Sequence, residues 1–341
     1  MNRTPTFSAV IATYDRRGLL LQAVRSVVEQ SFPADEIIVV FDGSPREMVE
    51  TMSREFPQVT CVVQPNLGRS IAKNTGAFTA SGDWICFLDD DDLWHRDKLL
   101  RTRDYIVNHP DCQALRNPVW YFAENEDGPT SGFGFRRDFV AKDLDECHEK
   151  AFQLGTSAND FSYLDIEGES FLRMVSRNHG IMSSTVIRRE LLFRVGAFQP
   201  FNDHADDWMM FTNAARAVEW HLLPEFLGFT RLHHGQATAT TPDGAIHILS
   251  MLVDFWCGGR PLPYAAPQQE IRSLLMAAGP RYRLEVQGYL WRSLFARRFR
   301  DAAKIHLLGS LLLPRFRDRF YARMPPQLTW RFERYILGRH K

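Results

Sequence analysis

At 341 residues, 45% apolar and 24% charged, the chain is long enough to bury a sizeable core and has the composition of an ordinary globular protein, which excludes a disordered or fibrous class. Zero formal net charge hides an asymmetry: residues 281–341 carry 15 Arg or Lys against 4 Asp or Glu, a net of +11, and the first 280 carry 26 against 37, a net of −11. No nucleic-acid-binding module accompanies the basic segment, so a nucleic-acid partner is not expected. The cysteines (Cys61, Cys86, Cys112, Cys147, Cys257) are odd in number, widely spaced and lack a Cys-x-x-Cys pair, which argues against a disulfide framework or a zinc site and for a reducing cytoplasm. The N-terminal residues do not read as a signal peptide, and no run approaches the ~18 apolar residues of a membrane span.

In chain order, Phe7 to Ala12 reads as an apolar strand ending in Thr13-Tyr14-Asp15. Leu20, Ala23, Val24, Val27 and Val28 then recur at helical spacing within Arg16 to Gln30. Glu36 to Phe41 is a second strand, and it runs into Asp42. A helix over Arg46 to Phe56, a strand over Val59 to Val63, a loop from Gln64 to Gly68 and a helix over Arg69 to Thr79 follow. Next comes Trp84 to Leu88, an apolar run that empties into Asp89, Asp90, Asp91 and Asp92. Strands alternating with helices predict βαβ units and a parallel sheet with three strand ends along one edge. Neither a Gly-x-Gly-x-x-Gly nor a P-loop pattern is present, so that edge is expected to hold a nucleotide through carboxylates and a metal.

Four adjacent carboxylates repel one another, and partial burial raises the cost. A hard divalent cation relieves it, and Mg²⁺ or Mn²⁺ shared with substrate phosphates fits an all-oxygen set. The alternative is a solvated acidic turn in which Asp92 caps a helix starting at Leu93. Placement directly after a buried strand favours a site, because open α/β sheets bind ligands at their carboxyl edges.

A helix from Leu93 to His109 is expected, with Leu99, Leu100 and Ile106 buried. Cys112 to Gly180 reads as irregular, with one short helix at Glu169 to Ser176. Ile181 to Ile187 reads as a strand, Arg189 to Val195 as a helix closed by Gly196, and Asp203 to Val218 as a helix opening on Asp206-Asp207. Trp220 to Leu232 holds one or two strands and ends near His233-His234; from Gly244 onward the chain reads as helical. Basic residues mixed with Trp, Phe, Leu and Tyr in 281–341 suit either an anionic membrane surface or a helical annex whose Arg stems cover apolar area.

Taken together, these segments resemble the inverting glycosyltransferases of family two, from Phe7 to about Gln236, with the motifs in the family's order. Val10-Ile-Ala-Thr-Tyr-Asp-Arg16 resembles the opening strand and nucleotide loop, with Asp15 where Asn is usual. Ile37 to Ser44 resembles the second strand, with Phe41 in place of the first of two Asp, so the contact with a pyrimidine base rests on Asp42. In Asn66 to Gly76, Lys73 stands for the usual Arg, keeping the charge and losing the fork. Phe87 to Trp94 is similar to the Asp-x-Asp signature, Ser183 to Arg189 and Val195 to Phe198 to the acceptor-side strand and its closure. Asp206-Asp207-Trp208 stands where Glu-Asp is usual, and Arg231-Leu-His233 resembles a late Arg-x-His.

The resemblance implies a glycosyltransferase-A fold: a mostly parallel sheet flanked by helices, with a catalytic domain over 1–243 (1–110 for the nucleotide sugar, 111–243 for the acceptor) and a helical region over 244–341. It implies transfer of a sugar, with inversion, from a nucleoside-diphosphate sugar (UDP-linked by the resemblance alone) to a saccharide or lipid-linked saccharide in surface glycan synthesis. Asp207 is the expected general base, with Asp206 second. Thr13, Tyr14, Asp15, Asp42, Asn66, Arg69, Lys73, Asp89 and Asp90 are the expected donor contacts. Asp91 and His233 are the expected ligands of Mn²⁺ or Mg²⁺, with His234 as the neighbour that competes for the histidine role. The expected location is cytoplasmic, or peripheral on the inner face of the plasma membrane. A catalytically idle nucleotide-sugar binder and a nucleotidyltransferase on a similar sheet are the alternatives; the latter lacks the Gly-rich basic loop it needs after Ala12.

Overall fold

The computed structural model describes residues 4–234 apart from 133, 162–163, 165–169, 177 and 201–204, together with 251, 252, 273, 293, 301, 302 and 305. Two units divide the chain: Met1–Met174, Asn178–Phe201 and Asp206–Gln236 form the first, and Val175–Arg177, Asn202–Ala205 and Ala237–Lys341 the second. Most of the second, including the basic segment 281–341 with its membrane reading and most of the helices expected from Gly244 onward, falls outside the described residues. Of the second unit's described positions, Met251, Leu252, Ala302 and Ile305 are buried. Among the described residues no helix is long and apolar enough to cross a membrane.

The first unit opens as the hydrophobic pattern predicts. Strands β1 (Phe7–Thr13), β2 (Glu36–Asp42), β3 (Thr60–Gln64) and β4 (Trp84–Asp89) alternate with helices α1 (Arg17–Val28), α2 (Arg46–Glu55) and α3 (Arg69–Thr79). All of the pairings among these strands are parallel, in the order β4-β1-β2-β3. Alternation along β1 separates two cores. Phe7, Ala9 and Ile11 face a cluster holding Leu20, Ala23, Val24 and Val27 of α1 and Met48 and Met52 of α2. Val10 faces the opposite cluster, with Ala72 and Ala77 of α3. The α3 helix lies so close to β1 that a Cβ on Gly76 would fall 2.4 Å from Val10 Cγ1.

The helix expected from Leu93 begins later. Leu93–Trp94 is a short strand, β5, and the helix α4 spans Lys98–Asn108. The Cys112–Gly180 stretch is also more ordered than its irregular composition suggests. It contains β6 (Ala114–Arg116), β7 (Trp120–Ala123), β8 (Ser131–Gly132), β9 (Phe135–Arg136), β10 (Phe139–Val140), α5 (Leu144–Leu154) and α6 (Ser170–Ser176). Ile181 to Ile187 divides into a 3₁₀ turn at Met182–Ser184 and β11 (Val186–Arg188); α7 (Arg189–Arg194), α8 (Asp206–Ala215), β12 (His221–Leu222) and β13 (Gly228–Arg231) follow. The main sheet has seven strands in the order β12-β6-β11-β4-β1-β2-β3, and only β11 runs antiparallel to its neighbours. A second sheet, β10-β7-β13-β5, packs Trp120, Phe122, Phe139 and Phe229 against Leu144, Cys147 and Ala151 of α5.

On α4, Leu99 and Ile106 are buried as expected and Leu100 is only half-buried, while Lys98 is buried at 0% exposure. Its ammonium donates to Asn117 Oδ1 at 2.6 Å and to the Ser184 carbonyl at 3.4 Å, with the Trp94 ring 5.4 Å away. Burial pushes its pKa down from 10.5 to about 8. The unfolded chain therefore holds a proton on Lys98 between those pH values that the folded chain releases. Stability contributed by this residue rises with pH across the window, and the penalty for a charged lysine, about 3 kcal/mol, is fully present below it. Urea unfolding at pH 7 and pH 10 is expected to show wild type gaining on Lys98→Met by about that amount; a constant difference would contradict a buried ammonium.

Candidate active site

The register of the parallel strands sets the site. Ala12 lies beside Asp89, and Thr13 beside Phe41, so the carboxyl ends of β1, β2 and β4 form one edge. Each of the four aspartates that follow β4 has its own environment.

Asp92 turns inward, at 4% exposure. Its Oδ2 accepts from Ser183 Oγ at 2.6 Å and from Thr230 Oγ1 at 3.4 Å, and its Oδ1 accepts from the Arg231 backbone N–H at 2.9 Å. It ties the turn after β4 to the 3₁₀ turn and to β13. The helix-capping role does not apply, since no helix begins beside it. Burial, and then the charges of Asp91 and Asp89, push its pKa well above the ordinary range.

Asp90, also buried, accepts from Thr13 Oγ1 at 2.6 Å and from Arg16 at 3.2 Å. Burial and the neighbouring Asp91 push it up to about 6. Asp91 Oδ2 accepts from Arg16 at 2.7 Å and lies 3.1 Å from His233 Nε2. Burial would raise Asp91, but the His233 hydrogen bond and the charge of Arg16 more than offset it, and its pKa falls below the usual value. Asp89 receives the opposite balance: burial raises it, and Lys73 only partly counters this.

Arg231 holds the turn in place from beneath, at 1% exposure. Its guanidinium donates to the Asp91 carbonyl at 2.9 Å, to Glu124 at 2.6 Å and to Gln22 at 2.9 Å, and it lies 4.6 Å from the Phe122 ring. Neither Arg16 nor Arg231 has a role assigned from sequence, although both lie inside the quoted motifs. Such roles depend on contacts with residues 75 and 140 positions away, which no local pattern encodes.

The second strand end works differently. Asp42 is 5% exposed, and both of its oxygens are engaged by the loop before α3: Oδ1 accepts from Gln64 Nε2 and the Leu67 N–H, and Oδ2 from the Gly68 N–H. Gly43 adopts a φ of +81° and lies so close to Asn66 that an added Cβ would meet the Asn66 Cβ at 2.7 Å. Asn66 itself is exposed, as are Tyr14 and Asp15. Asp15 takes a left-handed φ of 49°, a conformation that Asp and Asn tolerate better than most residues.

Arg69 and Lys73, one turn apart on α3, both reach Asp206 at the start of α8. Lys73 Nζ lies 3.0 Å from Oδ2 and Arg69 NH2 3.3 Å from Oδ1, and Asp206 is fully buried. Burial would raise Asp206, but Lys73 and Arg69 overcome it and hold its pKa low. Asp207 is only partly buried and accepts from the Trp208 N–H at 2.7 Å. Its pKa is pushed up by desolvation and by the adjacent Asp206 charge. The same two cations act on Asp89, Asp206 and Asp207, so the two acidic groups share one electrostatic environment. Asn74 fastens α3 on the same side, with its amide donating to the Phe198 carbonyl and accepting from the Phe198 N–H.

His233 is the histidine at the acidic turn; its neighbour His234 is exposed. Among the described residues no group of three or more His, Cys, Asp or Glu converges as a metal cage. Asp91 Oδ2 and His233 Nε2, 3.1 Å apart, are nevertheless close enough that one cation could be held by both. A two-ligand set of this kind leaves most positions to water and substrate phosphates, as is usual for Mg²⁺-type sites.

Residues 8–162 match the profile of Glycosyl transferase family 2. The succinoglycan biosynthesis protein ExoW of Rhizobium meliloti is 28% identical over 231 residues, 66% of this chain and 68% of its own length. The first curated relatives are matched over only 20% to 44% of their lengths. In structure, S. aureus TarS 1–349 in complex with UDP aligns over 98% of this chain and 92% of its own, with a TM-score of 0.62 at 15% identity. The mannosyltransferase PcManGT of Pyrobaculum calidifontis, solved with GDP-Man and Mn²⁺, aligns over 94% of this chain and 84% of its own, with a TM-score of 0.53 at 17% identity.

Proposed function

Residues 8–162 belong to glycosyl transferase family 2, on a glycosyltransferase-A fold, and from that premise we propose that the chain is a metal-dependent inverting glycosyltransferase of surface polysaccharide synthesis. Its donor is a nucleoside-diphosphate sugar, UDP-linked in our reading, and its acceptor is a hydroxyl of a saccharide or a lipid-linked saccharide. TarS, solved with UDP, and ExoW, a succinoglycan biosynthesis protein, support the donor class and the polysaccharide context. The segment 281–341 is then the candidate contact with an anionic membrane surface carrying lipid-linked acceptors.

The observation that carries the reading is the unequal treatment of two adjacent carboxylates. Asp206 is held ionised by Lys73 and Arg69, while Asp207 has no ion pair with either and a raised affinity for protons. A sugar hydroxyl needs a base within hydrogen-bond reach, and a carboxylate of raised pKa serves better than one of lowered pKa. Asp207 takes the proton as the acceptor oxygen attacks the anomeric carbon from the face opposite the diphosphate. The bond from that carbon to the diphosphate oxygen breaks, its electron pair leaves with the nucleoside diphosphate, and the configuration inverts.

Asp91 and His233 would hold a divalent cation, which would supply positive charge where the departing diphosphate gains negative charge. The carboxylate suits Mn²⁺ or Mg²⁺, the imidazole beside it favours the softer Mn²⁺, and the PcManGT complex with Mn²⁺ supports that choice. Arg231 holds the Asp91 peptide in position, Thr13 orients Asp90, and Lys73 with Arg69 keeps the field around the acceptor side positive. Asp42 contributes by shaping the Gln64–Gly68 loop, which leaves base contacts to the exposed Tyr14, Asp15 and Asn66 around it.

The test is sugar release from a panel of nucleoside-diphosphate sugars with Mn²⁺ present and no acceptor, so that water takes the acceptor's place. Release from at least one donor, stopped by excess EDTA, is the expected result. Failure with every donor would overturn the reading, and release that survives EDTA would remove the metal from it.

A further inference from the structure

Arg16 is the cation already on the acidic turn. Its NH1 lies 2.7 Å from Asp91 Oδ2 and 3.2 Å from Asp90 Oδ1, bridging the two carboxylates. The oxygen it holds most closely is the same one that faces His233 Nε2 at 3.1 Å. A divalent ion bonded to that oxygen at about 2.1 Å would be crowded against the guanidinium, and two positive charges at such a separation repel strongly in a partly buried site. The ion and Arg16 therefore compete for one atom.

Resting on the metal-dependent reading, we propose that Arg16 is a resident counter-ion that holds the site closed to divalent cations and is displaced when the donor's diphosphate arrives. Local structure does not lock it into the helix. Arg16 precedes the first turn of α1 with non-helical backbone angles (φ −122°, ψ 52°), follows the left-handed Asp15, and keeps its side chain 26% exposed. A guanidinium exchanges a carboxylate for a phosphate readily, because its planar fork matches both. Moving from Asp90 and Asp91 to the diphosphate would free Asp91 for the ion while keeping Arg16 paired. Metal and nucleotide should consequently bind with positive coupling, and the coupling should depend on residue 16.

The experiment follows free Mn²⁺ by electron paramagnetic resonance during titration of the full chain, with and without saturating UDP, in parallel with GDP. Wild type is expected to bind Mn²⁺ weakly alone and about tenfold or more tightly with a nucleoside diphosphate, within the usual range of coupling. Arg16→Gln is expected to bind Mn²⁺ alone about tenfold more tightly than wild type, with a much smaller response to nucleotide. Its metal-free melting temperature should fall and be restored by Mn²⁺, which also reports that the variant is folded. Arg16→Lys, which keeps the charge, should bind Mn²⁺ alone as weakly as wild type. Unchanged or weaker Mn²⁺ binding by Arg16→Gln, with nucleotide-enhanced binding intact in wild type, would overturn this inference alone. Absence of Mn²⁺ binding by every protein under every condition would overturn it together with the metal-dependent reading.

Discussion

Asp207→Asn is expected to lower turnover by about 10²–10⁴-fold while leaving donor-dependent thermal stabilisation unchanged. The amide is nearly isosteric and keeps an oxygen that can accept from the Trp208 N–H, so the start of α8 is retained. What it loses is the ability to take a proton. Asp206 cannot substitute, because it is fully buried and both of its oxygens are held by Lys73 and Arg69. Initial rates and melting curves measured on the same preparation separate chemistry from folding. Turnover within a few-fold of wild type would reject Asp207 as the base.

Lys73→Met is expected to destabilise the protein by about 3 kcal/mol or more, because it leaves a buried carboxylate with one partner fewer. For a domain of this size that is a fall in melting temperature of roughly 6–12 °C. The contrast with surface pairs is large: Arg46–Glu50 and Arg25–Glu29 are exposed neighbours on their helices and contribute only about 0.3–0.5 kcal/mol each. Converting the partner as well, in Lys73→Met/Asp206→Leu, should recover part of the stability, since the buried Asp206 charge goes together with its nearest counter-ion and Arg69 is exposed enough to turn to solvent. Activity should stay low in the double variant, because Asp207 loses the Lys73 charge and the Asp206 charge that set its proton affinity. A single variant as stable as wild type would show that Asp206 does not depend on this contact.

The first half of the catalytic unit was readable because its elements bury continuous or periodic apolar sets. Ile37 to Phe41 and Trp84 to Leu88 are uninterrupted runs suited to a sheet covered on both faces, and α3 occupies the Arg69–Thr79 span that its pattern predicts. The stretch after Cys112 was not readable, since strands of two to four residues such as β7 to β10 show too few alternations to register. One local signal is present there. Asp143 accepts from the Glu146 N–H, and Glu146 reaches back to the Lys142 N–H, an Asp-x-x-Glu start for α5, which ends at Gly155 with φ 72°.

In the site, sequence separates acidic residues from others but not one aspartate from the next. Asp92 and Asp91 are neighbours of the same type, yet one turns inward to Ser183 and the other faces Arg16 and His233. Lys98 shows the same limit on α4, where the helical face places it beside Leu99 but gives no sign that Asn117 and the Ser184 carbonyl would hold it inside. These differences arise from tertiary contacts between distant segments.

The most direct test of the account is the anomeric configuration of the first sugar released by hydrolysis of an α-linked nucleotide sugar, read by proton NMR before mutarotation. Single displacement with Asp207 as base predicts the β-anomer, with release abolished in Asp207→Asn. Release of the α-anomer would contradict the account.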